Sequence, residues 1–215
     1  MKNKYDRITA CKQYCLAAGA TQGNIAYTQT VRGKCRNTHM TNIYCSNKLK
    51  DLLGKDYFTK SSEPTDNLYG EWNGHLFNVS RQRYLIFVNN KSYYSVFIKN
   101  FKKTDFKDFS TFFLNRLNEQ LINDGIINNE SALLTLQKYS PLILSKTNND
   151  KKALGTINDF IYNFKAYCLA PSWTDKNLIE INTQINNLLT GAAREKRFDY
   201  GRPIEDMTKL LNTSP

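Results

Sequence analysis

Arg83-Tyr84-Leu85-Ile86-Phe87-Val88 decides the fold of this chain. Leu85 and Phe87 alternate with Tyr84, Ile86 and Val88, so a strand here is apolar on both sides and needs covering on both. Upstream, Asn73-Gly74-His75-Leu76-Phe77-Asn78-Val79-Ser80 reads as one flanking strand. Downstream, Asn89-Asn90-Lys91 is followed by Ser92-Tyr93-Tyr94-Ser95-Val96-Phe97-Ile98, rich in β-branched and aromatic residues. The Asn-Asn pair tolerates left-handed backbone and marks a turn, so the three runs form an antiparallel meander. The outer two runs are more polar, as edge strands are.

Helices are expected to cover this meander. After Lys102-Lys103-Thr104, Asp108 is the N-cap of a helix on which Phe109, Phe113, Leu117 and Leu121 recur at four-residue steps and Gly125 is the stop. Each Phe on that stripe is worth about 2 kcal/mol of burial, enough to seed a core. Glu130–Tyr139 reads as a second helix with Leu133, Leu134 and Leu136 apolar, closed by Ser140-Pro141. Leu142-Ile143-Leu144 reads as a fourth, short strand. Past the polar loop 147–152, Leu154, Ile157, Ile161, Phe164 and Cys168 form one apolar seam, and Leu178, Ile181, Ile185 and Leu188 form another. Pro203 opens a last helix that packs Ile204, Met207 and Leu211. The expected class is α+β, a small antiparallel sheet of three to four strands covered by several amphipathic helices.

Met40-Thr41-Asn42-Ile43-Tyr44-Cys45 reads as the start of that domain, a short strand followed by a helix from Ser46 to a stop at Gly54. The division expected is therefore residues 40–215 as a single domain, preceded by residues 1–39 as a basic extension without helical or strand period, disordered or the product of an upstream start. These 39 residues hold seven basic side chains against one acidic, +6 of the net +11. A zinc reading of Cys11, Cys15, Cys35 and His39 has near-tetrahedral spacing, but the flanks lack the aromatic and leucine residues that small zinc domains use as core, and no metal or other cofactor is expected. The 215 residues are 40% apolar, sufficient for one sizeable core. They contain no apolar run of about 20 residues, which argues against a membrane span and makes the cytoplasm the expected compartment.

Taken in order, Gly70-Glu71-Trp72, Leu76, Arg81, Leu85-Ile86-Phe87-Val88-Asn89, Tyr94-Ser95, Phe101-Lys102-Lys103, Asp105-Phe106, Leu154-Gly155, Asn158-Asp159 and Pro203-Ile204-Glu205 resemble a prokaryotic family catalogued as domain of unknown function 6933, over about residues 42–211. The resemblance implies a compact α+β domain and brings no activity with it. Gly74-His75 stands where the family pattern has a small residue then Asn, and Lys151-Lys152 where it has Arg-Ser.

No catalytic residue is assigned. The chain has only two histidines, and His75, at the start of a strand beside Trp72, is an edge-strand residue before it is a base. Asp105 with Asp108, and Glu205 with Asp206, are helix-start charges. No phosphate-cradling glycine loop, His-Glu-x-x-His or nucleotide fingerprint occurs. Two groups of residues remain as candidates. Trp72, His75, Arg81, Asn89, Asn158 and Asp159 are polar or amphipathic positions beside apolar runs, either a satisfied hydrogen-bond network, with Arg81 and Asp159 as an ion pair, or the lining of a small pocket. Arg81, Arg83, Lys91, Tyr93, Lys99, Lys102 and Lys103 give the meander a basic surface with tyrosines that would stack bases. The leading expectation is a non-catalytic interaction domain whose partner, a protein or a nucleic acid, is left open; a sequence-tolerant nucleic-acid binder is the alternative, and an enzyme or small-ligand binder around Trp72, His75 and Asp159 the third.

Overall fold

The computed structural model describes residues 40–54, 57–58, 67–169, 178–191 and 199–213, and the cysteines and histidine of the extension lie outside these. In chain order the elements are β1 (Thr41–Cys45), α1 (Asn47–Leu53), β2 (Trp72–Val79), β3 (Gln82–Asn89), β4 (Ser95–Lys99), a 3-10 turn (Lys103–Asp108), α2 (Phe109–Asn123), α3 (Ala132–Gln137), β5 (Leu142–Lys146), α4 (Lys151–Cys168), α5 (Leu178–Asn186) and α6 (Pro203–Asn212).

The meander is present: β2 pairs with β3 and β3 with β4, both antiparallel. The expected three- to four-stranded antiparallel sheet is corrected to a mixed sheet of five, in the order β4-β3-β2-β1-β5. Both β1 pairings, with β2 and with β5, are parallel. β2 is therefore an interior strand along its first residues rather than an edge, because β1 lies beside it from Ile43↔Trp72 to Cys45↔Gly74. Gly74 is where this packing is tightest: a Cβ there would meet Phe87 Cε1 at 2.7 Å and Leu49 Cδ2 at 2.9 Å.

The two-sided apolar character of β3 divides the helices into two layers. Leu85 and Phe87 share a core with Trp72, Phe113, Leu117, Leu121, Tyr139, Met207 and Leu211. Tyr84, Ile86 and Val88 share the opposite core with Phe77, Phe97, Ile157, Phe160, Phe164, Ile181 and Ile185. The first layer is built from α1, the 3-10 turn, α2, α3 and α6, and the second from α4 and α5. Aromatic edges fill both: Trp72 meets Phe113 at 5.2 Å and Tyr139 at 5.7 Å between centroids, while Phe164 stacks on Phe97 at 4.8 Å.

The helix caps fall where the residue types place them. Ser46 caps α1 by accepting from the Leu49 N–H, Asp108 caps α2 from Thr111, and Asp150 caps α4 from Lys152 and Ala153. The second helix is shorter than expected, Ala132–Gln137 rather than Glu130–Tyr139; Leu133 and Leu134 are 55% and 66% exposed, and Leu136 packs on the core. This brief helix buries Thr135, half-buries Leu136 and leaves Leu133 and Leu134 outward.

The outer edge of β4 is closed by side chains at its first residue, Ser95. Asn186 Oδ1 accepts from the Ser95 N–H at 2.8 Å, and the Nδ2 groups of Asn182 and Asn186 donate to the Ser95 carbonyl at 3.0 and 3.1 Å. Two asparagines of α5 thus stand in for a neighbouring strand, satisfying backbone groups that burial would leave costly. Asn186 also reaches Asp124, which accepts the Tyr94 hydroxyl at 2.6 Å and, through its other oxygen, the Thr183 hydroxyl. Replacing Asn186 with Ala orphans the Ser95 N–H and is expected to lower unfolding free energy in urea by about 2 kcal/mol. Asn187→Ala, on the exposed side of the same helix end, should stay within about 0.5 kcal/mol of the parent.

Candidate functional site

The basic candidates separate in space. β3 starts where β4 ends, with Tyr84 opposite Lys99, so Arg81, Arg83, Lys99, Lys102 and the backbone of Lys103 gather at one end of the meander. Lys91 sits at the other end, in the β3–β4 connection, with its Nζ 3.3 Å from the Leu68 carbonyl. Tyr93 is not available for stacking: it is 5% exposed, packed in the α4–α5 core, and its hydroxyl is pushed up to about 12 by burial and by Asp150. Tyr94 is fully buried on the opposite face.

The turn that presents Arg81 is tight. Ser80 and Arg81 both have positive φ, 46° and 68°, the two-residue hairpin geometry whose twist matches the flanking strands. Beside it, Arg83 lines a groove of about 370 Å³ with Leu52, Gln82, Asn100, Phe101 and Phe106. The walls are apolar and come from α1 and the 3-10 turn, and the rim is polar. Such a groove accepts an apolar group carrying a negative charge near Arg83.

The polar candidates are dispersed. Trp72 is buried in the α2-side core with no partner for Nε1. Asn89 organises the β3–β4 connection: its Oδ1 accepts from the Lys91 and Ser92 amides, each at 3.0 Å, and its Nδ2 donates to the Tyr69 carbonyl. Gly70, at φ +82°, lies so close that a Cβ would come within 2.7 Å of Asn89 Oδ1. Asn158 and Asp159 are exposed on α4, and no ion pair joins Asp159 to Arg81. Asp159 lines a separate depression of about 230 Å³ with Thr156, Tyr162, Asn163 and Leu189.

A buried polar row went unread in the sequence. Ser145, Tyr44 and Asn73 stand side by side across β5, β1 and β2, with Asn42 and Glu71 one step down on the same side. Asn42 Nδ2 donates to Glu71 Oε1 at 2.9 Å, and Asn42 Oδ1 accepts from the Ser145 hydroxyl at 3.0 Å. The Tyr44 hydroxyl is pushed up to about 12 by burial first and then by its hydrogen bond to Glu71, so it stays protonated as a donor to that carboxylate. Asn73, 3% exposed, has no partner for Nδ2. The signal was there in Thr41–Cys45, where Asn42 and Tyr44 alternate against Ile43 and Cys45, but it needed β1 to be placed beside β2. Cys45 itself is buried, which pushes its thiol well up and leaves it unreactive.

His75 follows Asn73 on the same side and is half-buried. Burial, and secondarily the Lys48 ammonium, lower its pKa below 6.5, which keeps it neutral near pH 7. Among the described residues no group of three His, Cys, Asp or Glu side chains is arranged to hold a metal, and no helix is long and apolar enough to cross a membrane.

Two helical layers on a mixed five-stranded sheet, with a basic end and a polar row, define an α+β domain. The chain belongs to the family described as Domain of unknown function (DUF6933), whose family model matches residues 42–206. No curated protein and no solved structure matches it.

Since folding depresses the His75 pKa, the unfolded chain binds the extra proton first, and stability is lost as pH falls below about 6.5 and through the folded value. Melting temperatures across this range should fall for the parent and change less for His75→Asn.

Proposed function

We propose that this chain is a non-catalytic interaction domain that binds a protein partner at the basic end of its meander. The observation that carries the reading is Arg83 on a groove whose walls, Leu52, Phe101 and Phe106, are apolar, at the end of the meander that also holds Arg81, Lys99 and Lys102. Protein recognition combines these properties, an apolar centre for affinity and a charged rim for orientation and approach. Placement in the cytoplasm of a prokaryotic cell rests on the family resemblance.

Nucleic-acid binding is the second reading, favoured by the same four cationic side chains, which suit phosphate contacts. It has less support, because the base-stacking role needs exposed rings and Tyr93 and Tyr94 are buried. The reading of Trp72, His75 and Asp159 as one small-ligand or catalytic pocket has the least, since Trp72 faces α2, His75 faces the α4 side and Asp159 is exposed on α4.

Fluorescence anisotropy separates the first two. The probes are an acidic peptide that alternates Glu with Val and a single-stranded RNA oligomer, each at low and at physiological salt. The expected result is peptide binding that weakens with salt and falls at least about tenfold in Arg83→Glu. Salt-sensitive binding of the RNA alone transfers the site to the second reading, and silence from both probes overturns both readings.

A further inference from the structure

We infer that the outer edge of β2 beyond Gly74 is a docking edge, where an acidic, extended segment of a partner protein adds as a further strand. The inference deepens the interaction-domain reading and rests on it. The Gly74 carbonyl accepts from the Ser46 N–H at 2.9 Å, which fixes the even-numbered residues of β2 as those whose backbone groups point away from β3. β1 and β5 both stop at this level, Cys45 being level with Gly74 on one side and Lys146 on the other. β2 continues to Val79 paired with β3 alone. Leu76 and Asn78 therefore hold out two N–H and two C=O groups that no described residue meets.

Among the described residues, the chain on either side of that level leaves the plane of the sheet. After β1 it leaves to the α2 side as α1, and after β5 it leaves to the opposite side as α4. Adjacent parallel strands whose connections depart to opposite faces form a crevice at their carboxyl ends, the general location of binding sites in open sheets. Here the unpaired stretch of β2 is one wall of it.

The pattern on the wall selects the ligand. Donors and acceptors alternate, repeating every two residues at roughly 6.8 Å, the repeat of a strand. A phosphate backbone supplies acceptors alone and would leave the Leu76 and Asn78 carbonyls unmet, whereas a peptide backbone meets both kinds of group. The sign of the partner follows from the exposed cations around the crevice: Lys48 at the start of α1, Arg81 in the hairpin turn, Arg83 across the ladder from Asn78, and Lys146 at the end of β5.

Asn78→Pro tests the edge directly. The Asn78 side chain is exposed and its N–H points outward, so proline removes one edge donor without breaking the β2–β3 ladder. The probes are the Glu-Val peptide and the same peptide N-methylated at alternate residues. Expected are binding of the plain peptide, slowed exchange of the Leu76 and Asn78 amides, little binding of the methylated form, and a loss of about tenfold in Asn78→Pro at a near-parental melting temperature, with Asn78→Ala unaffected. If Asn78→Pro does not fold, amide exchange in the parent chain decides. Should the plain peptide bind and Arg83→Glu weaken it, while methylation is tolerated and the two amides exchange as before, the edge is wrong and the interaction reading stands. Absence of peptide binding, with or without RNA binding, overturns both.

Discussion

The covering of β3 on both sides is the constraint from which the rest of the architecture follows. A strand whose Leu85 and Phe87 face one way and Tyr84, Ile86 and Val88 the other buries apolar surface at about 25 cal/mol per Å² only if both layers are filled. One helix cannot do this. The chain must cross the plane of the sheet, and it does so at its parallel half, sending α1 to one side and α4 to the other. Core formation thus sends the chain out of the plane of the sheet, to opposite sides, at the ends of β1 and β5. The feature of greatest functional interest is a by-product of a packing demand.

How much of this could be read from residues alone follows the range of the interactions. The strands of the meander, the caps at Ser46 and Asp108, and the seams of α2, α4 and α6 are local, repeating every two or about 3.6 residues, and they stand close to where the sequence places them. The sheet's true width was not local. β1 meets β5 across most of the domain, and nothing in Leu142-Ile143-Leu144 states which neighbour it takes or in which direction. For the same reason the polar row of Asn42, Tyr44, Asn73 and Ser145 was invisible as a group. Short Leu-rich runs also mislead, since Leu133 and Leu134 are apolar without being buried. Of the basic residues, most gather at one end; of the polar ones, Trp72, Asn89 and Asp159 are separated by the layers that the two-faced strand imposes.

The two long edges of the meander are treated differently. At β4 the backbone of Ser95 is met by Asn182 and Asn186, and these asparagines are held by a wider network that includes Asp124, Tyr94 and Gln120. Exposed sheet edges invite pairing with other chains, and side-chain closure is one way to prevent it. β2 receives no such closure past Gly74. The side-chain network thus protects the start of β4 at Ser95, whereas no described side chain does the same for Leu76 and Asn78 on β2.

Asn73 has a further consequence, in chemical ageing. Asn73-Gly74 is the kind of dipeptide in which the following amide nitrogen attacks the asparagine side chain to form a succinimide, a reaction that needs the backbone free to bend. In the fold both residues are paired on either side, with Tyr44 and Cys45 on β1 and with Val88 and Phe87 on β3, and Gly74 has no room to swing. The native sheet therefore protects the bond, and the unfolded chain does not. The product would be a carboxylate one step from the buried Glu71, so a molecule that ages in this way while unfolded has lost part of its means of returning.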